Sequence, residues 1–187
     1  MSVFAAPQDL ETHLVEAIQS FMESAAGERA AAAAREADAG SVIALHVADP
    51  DIAVWIDLDT RKAGAGRAED PAAEVLVDAD DLHHLALNQL APVHIAKAIE
   101  ERRLDASGAF ELPLALLASL DALGEEWRRS LEKAGREDLI ELTAPPAAET
   151  YAVETTLVRQ GHKPPWAGKG KRAVSHSTRR EEERAAG

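Results

Sequence analysis

Between positions 43 and 58 the large apolar residues fall on every second position. Ile43, Leu45 and Val47 come first, then Ile52, Val54, Ile56 and Leu58, with Asp49-Pro50-Asp51 between the two runs. Period-two alternation marks strands with one buried face, and the turn residues join these two into an antiparallel hairpin. Pairing centred on Pro50 and Asp51 sets Val47 opposite Val54, Leu45 opposite Ile56 and Ile43 opposite Leu58, so one register buries every large residue on one side. The same register puts His46 beside Trp55 on the outer side. Because Pro50 cannot take the positive φ of a tight primed turn, the spacing predicts a loop longer than two residues.

Before this hairpin the period is helical. Leu10, Leu14, Ile18, Phe21, Met22 and Ala25 recur at three- and four-residue spacing and predict an amphipathic helix over 8–25, which Gly27 ends. The alanine-rich run 28–38 predicts a second, lightly packed helix. After the hairpin, turn residues 59–62 lead to a short third strand at 63–67, and a fourth follows at 74–78, completing an antiparallel meander. Gly64-Ala65-Gly66 reads as a hairpin turn, since a phosphate-binding loop must open a helix and end in Lys-Ser/Thr.

Asp78 and Asp80 are placed to cap a helix carrying Leu82, Leu85, Ala86 and Gln89, and Pro92 opens another that presents Val93, Ala96 and Ile99. Leu104, Ala106 and Gly108 form a fifth strand that closes the sheet. Pro113 then sits in the first turn of one long helix whose stripe runs from Leu112 through Leu116, Leu117, Leu120, Leu123 and Trp127 to Leu131, and a short extended segment follows at 138–142.

The net charge of −13 opposes binding to nucleic acid or anionic lipid, and only 4% of residues are aromatic, which leaves few rings for stacking on bases. Eight basic and five acidic residues beyond Thr143 leave the C-terminal stretch at +3 and everything before it at −16. Pro164, Pro165 and the Gly168–Arg172 run make that stretch a low-complexity, flexible basic tail. The expected organisation is one domain over 1–142 and a tail over 143–187. The tail is open to three roles: binding a protein partner or anionic surface, folding back on the acidic body, or plugging a cavity mouth with Tyr151, Val153, Leu157 or Val158. The chain has no cysteine and no stretch approaching the ~20 apolar residues that cross a bilayer, so it reads as cytoplasmic and without stable membrane insertion.

Residues 70–123 carry the most specific pattern. A strand at 74–77 leads into the acidic helix start Asp78 to Asp81, then Leu90-Ala91-Pro92, a glycine-bearing strand with Gly108, and the leucine-rich helix from Leu112 to Leu123. This punctuation resembles the sterol carrier protein 2 family of small lipid-binding domains. The resemblance covers roughly residues 8–131 in order of elements. It implies an α+β fold, a five-stranded, mainly antiparallel sheet covered on one face by helices, with a tunnel between them for a lipid. It further implies non-enzymatic binding or transfer of a fatty acyl chain, sterol or related lipid, with Val93, Ile99, Leu104, Leu112, Leu116, Leu120 and Leu123 as cavity walls. The alternatives are a protein-interaction module whose cavity is closed, or an accessory domain to a lipid-metabolising enzyme.

No other motif competes with this reading. His83, His84 and His94 lie close in sequence, but adjacent helical residues point about 100° apart and no His-Glu-x-x-His spacing is present, so helix-end or surface histidines are expected and no metal. Asp78, Asp80 and Asp81 lack the glycine and closing glutamate of a calcium loop. His46 with Asp57 or Asp59 has no nucleophile beside it. No catalytic residue and no cofactor are expected.

Overall fold

The computed structural model describes residues 4 and 6–144. The tail reading and the proposed plug by Tyr151 and its neighbours lie outside the described residues.

Helix α1 (Pro7–Glu23) starts with proline at its first turn and buries Leu10, Leu14, Ala17, Ile18, Phe21 and Met22, the expected stripe. It ends before Gly27. Ser24 donates its hydroxyl to Phe21 O at 2.6 Å and accepts from the amides of Ala26 and Gly27 at 3.2 Å, so one residue closes α1 and caps α2 (Ala25–Ala37). Gly27 therefore lies inside the first turn of α2. A Cβ there would come within 2.3 Å of Phe21 O, so the glycine is required by the close approach of the two helices rather than by a helix end. Nor is α2 lightly packed: Ala26, Ala30, Ala31 and Ala34 are buried.

Five strands follow the order β3-β2-β1-β4-β5, with β1 (Val42–Ala48), β2 (Ile52–Asp57), β3 (Lys62–Ala65), β4 (Ala73–Asp78) and β5 (Leu104–Gly108). Every pairing is antiparallel except one. β4 passes the hairpin and lies parallel to β1, Leu45 against Val75 and Val47 against Val77, so the sheet is not the expected meander. Alternation encodes which face a residue takes and leaves open which strand lies beside it.

The β1–β2 register also differs from the expected one, by two residues. Val47 faces Ile52, Leu45 faces Val54 and Ile43 faces Ile56. A two-residue shift keeps every side chain on its face, so the hydrophobic pattern cannot distinguish the two pairings and the turn decides. Trp55 consequently stands opposite Ala44, not His46, and its indole covers Gly64, where a Cβ would meet the ring at 2.6 Å. Gly64 is thus a strand residue under a tryptophan, and the turn lies before β3.

Asp78 caps α3 (Ala79–Ala86) by accepting from Asp80 N at 3.0 Å, and Pro92 opens α4 (Pro92–Glu100). The expected long last helix is two helices, α5 (Glu111–Leu117) and α6 (Leu120–Lys133), broken at Ala118 and Ser119. The reason is anchorage. α5 is held against α2 with Leu112 and Ala115 buried, whereas α6 packs on α1 and α3 through Trp127, Leu131 and Gly124, whose Cα lies so near Ala86 O that a Cβ would meet it at 2.1 Å. One straight rod cannot serve both sets of partners. Residues 138–142 do not form an extended segment; the chain makes a one-turn helix α7 (Glu137–Ile140) and buries Leu139.

Candidate functional site

The inner face of the sheet and the helices do not close on one another. A cavity of about 590 Å³ lies between them. Its floor is the alternating inner face of the strands: Ile43 and Leu45 of β1, Ile56 of β2, Val75 and Val77 of β4, Leu104 and Ala106 of β5. α1 contributes Leu14, Ala17, Ile18 and Phe21; α3 adds Leu82, Leu85 and Ala86. Ile95 and Ile99 come from α4, four residues apart on one helical face. Pro113, Leu114, Leu116 and Leu117 of α5, with Leu120, Leu123 and Trp127 of α6, complete the wall.

Exposure is graded across this surface. Ile18, Phe21, Ile43, Ile56 and Val77 are buried to 3% exposure or less, whereas Ile99 (56%), Phe110 (54%), Leu114 (59%) and Leu117 (47%) form an open apolar lip. Leu114 and Leu117 lie on α5, just before its break from α6.

Of the wall residues expected from sequence, Ile99, Leu104, Leu116, Leu120 and Leu123 line the cavity. Val93 and Leu112 do not. α4 turns Ile95 and Ile99 to the space rather than Val93, and Leu112 is fully buried in the core as an anchor of α5. Sequence reasoning missed the contributions of α1, of α3 and of the β1, β2 and β4 floor. The signal was present in the period-two face of β1 and β2, but an apolar face that fills a core and one that walls a hollow have the same residues.

Among the described residues, the only charged side chain along the wall is that of Asp105. It pairs with Leu76 on β4, one residue out of phase with Val75 and Val77, so its side chain stands on the outer face of the sheet. There it accepts from Ala106 N at 2.8 Å and borders a small groove with His46 and Glu74.

The back of the cavity is tied down by a buried polar chain. Trp127 Nε1 donates to His83 Nδ1 at 3.2 Å, and His83 Nε2 donates to Leu139 O at 3.0 Å, linking α6, α3 and α7. Phe4 packs edge-on against the imidazole, with centroids 5.6 Å apart. Burial pushes the His83 pKa below its ordinary value of 6.5; the Leu139 carbonyl opposes that shift and His84 adds to it. Beside it His84 Nδ1 donates to Gln89 Oε1 at 2.8 Å, and Gln89 Nε2 donates to Leu142 O at 2.8 Å. Both histidines are buried, at 0% and 8% exposure, in the last turn of α3, so of the helix-end or surface placement expected from sequence they take the helix end and not the surface. They are structural links, and among the described residues no group of three or more His, Asp or Glu side chains is placed to hold a metal ion.

Ser130 and His13 also meet, Oγ to Nδ1 at 3.3 Å, but in the α1–α6 seam outside the cavity wall, where the hydroxyl also donates to His13 O. No helix among the described residues is long and apolar enough to cross a membrane.

No family model matches the chain, and no curated protein does. Solved sterol carrier protein 2 domains resemble it. The sterol carrier protein domain 2 of Helicoverpa armigera is 14% identical, with a TM-score of 0.47, over 66% of this chain and 96% of that one. Sterol carrier protein 2 like 2 of Aedes aegypti is 18% identical, with a TM-score of 0.43, over 59% of this chain and 95% of that one. A third, sterol carrier protein 2 of Aedes aegypti in complex with palmitate, is 14% identical, with a TM-score of 0.44, over 65% of this chain and 98% of that one. At these values the likeness is one of fold, and what the cavity can hold follows from its own walls.

Proposed function

We propose that this chain binds a hydrophobic ligand, a fatty acyl chain, sterol or related lipid, between sheet and helices and carries it without altering it. The observation that supports this is an apolar space of about 590 Å³ between sheet and helices. Native interiors seldom keep voids larger than a water molecule. Left open to water through the lip, apolar walls of this extent keep a hydration cost that burial removes elsewhere in the fold. A ligand offsets that cost, since each buried methylene contributes about 0.8 kcal/mol. The volume falls within the ~300–1,000 Å³ of small-molecule sites. Carriage rather than catalysis fits a wall that, among the described residues, presents no nucleophile and whose one carboxylate, Asp105, stands on the outer face of the sheet.

Denaturing extraction of the purified protein followed by lipid mass spectrometry, with titration of fluorescent fatty acids and sterols, tests this. Co-purifying lipid or saturable binding near one per chain is expected. Protein that is empty and also binds none of these probes sinks the proposal.

The apolar lip favours a second reading, in which the chain delivers its ligand to a lipid-handling enzyme as an accessory domain. Loss of pull-down of such an enzyme on Leu114→Ser would support it. The interaction module with a closed cavity is the less favoured alternative, because the interior is hollow.

A further inference from the structure

The walls carry more information than their greasiness. With the Asp105 carboxylate on the far side of the sheet, every described side chain that reaches the cavity is apolar except the Trp127 indole, whose only polar group is already committed to His83. In the middle of the lining helices the backbone is bonded within its own turns. Among the described residues the lining side chains thus offer no free partner to a buried hydroxyl, amide or carboxylate.

The space also has a direction. Its inner end, built from Ile18, Phe21, Ile43 and Ile56, is sealed at 0–3% exposure, and its outer end is the lip of Ile99, Phe110, Leu114 and Leu117 at 47–59%. A lipid's polar end has water available only at the lip.

We infer that the cavity takes its ligand hydrocarbon end first and discriminates by the length and bulk of that hydrocarbon, leaving the head group at the lip and largely unread. This rests on the lipid-binding reading above and specifies its ligand class: a lipid with an uninterrupted apolar end, whatever its head. A ligand polar at both ends is rejected, because its buried group would lose water and gain no partner.

Titration calorimetry with three matched probes tests this: hexadecanoic acid, hexadecan-1-ol and 16-hydroxyhexadecanoic acid, at physiological ionic strength so that the protein's acidic field is screened. The acid and the alcohol should bind within about threefold of each other, and the 16-hydroxy acid roughly ten- to a hundredfold more weakly. Equal binding of the hydroxylated and plain acids would overturn the inference while leaving the carrier reading intact, as would a tenfold preference between acid and alcohol. Failure of all three to bind would overturn both. A second arm uses Ala17→Phe, which puts a ring at the sealed end. If its melting curve shows it folded, its preferred chain length should shorten relative to wild type; an unchanged preference would contradict the proposed direction.

Discussion

Helices α2 and α5 reverse what their compositions suggest. α2 buries nothing larger than alanine, yet Ala30, Ala31 and Ala34 are at 2% exposure or less. α5 has four leucines in seven residues, yet only Leu112 of the four is fully buried, while Leu114 and Leu117 stand about half in water. Small side chains let backbones approach and exclude a void; large ones with nothing opposite them frame one. Burial is set by what lies across from a residue, so an apolar stripe specifies a face and not whether the space beyond it is filled.

The contrast can be tested by weakening each side in turn. The largest effect is expected where the filled and hollow regions meet. Trp127→Ala should lower stability by about 3–5 kcal/mol in urea titration, because it removes a buried ring and leaves His83 Nδ1 without its donor. A loss below about 1 kcal/mol would mean that this wall is not part of the core.

Next come the two leucines of α5. Leu112→Ala should cost about 2–4 kcal/mol and Leu114→Ala no more than about 0.5 kcal/mol, although they are two residues apart on the same helix. Equal costs would break the distinction between anchor and lip.

Gly27→Ala is smaller and opposite in sign to helix propensity. Alanine is the better helix former, but its methyl would meet Phe21 O and Met22, so a loss of about 1–3 kcal/mol is expected. A stabilised variant would show that α1 and α2 are not in close contact.

The least effect is expected from pH. The His83 pKa is depressed in the folded state relative to 6.5 unfolded, so its contribution is fully present above 6.5 and is lost as pH falls from there through the folded value. Thermal midpoints should therefore decline as pH drops below about 6.5, and His83→Gln should lessen that decline. A midpoint that rises on acidification over this range would contradict the neutral, doubly bonded imidazole.

The sequence disclosed most of the architecture. Residue alternation placed β1, β2, β4 and β5, and Asp78 and Pro92 mark helix starts by chemistry that acts within a few residues. What escaped depends on distant partners. The two-residue register shift is invisible to a period of two; the parallel β1–β4 pair depends on a crossover; the α5–α6 break comes from two anchors on different helices. Gly27 looked like a helix end because its actual reason, the carbonyl of Phe21, is a tertiary contact. His83 and His84 looked exposed because nothing near them in sequence announces Trp127, Leu139 or Phe4. Within the cavity Ile99, Leu104, Leu116, Leu120 and Leu123 were legible through the resemblance, whereas the residues of α1 read simply as core.

The most direct test of the central claim, that the space between sheet and helices is hollow and takes hydrocarbon, is a methyl-resolved NMR titration with hexadecan-1-ol. Methyls of Ile18, Ile43, Ile99, Leu116 and Leu123 should shift in a saturable, one-to-one manner, while those of Leu10, Leu131 and Leu139 in the filled core stay in place. Shifts confined to the lip residues Leu114 and Leu117, with the inner methyls unmoved, would show a surface patch over a closed interior and contradict the account.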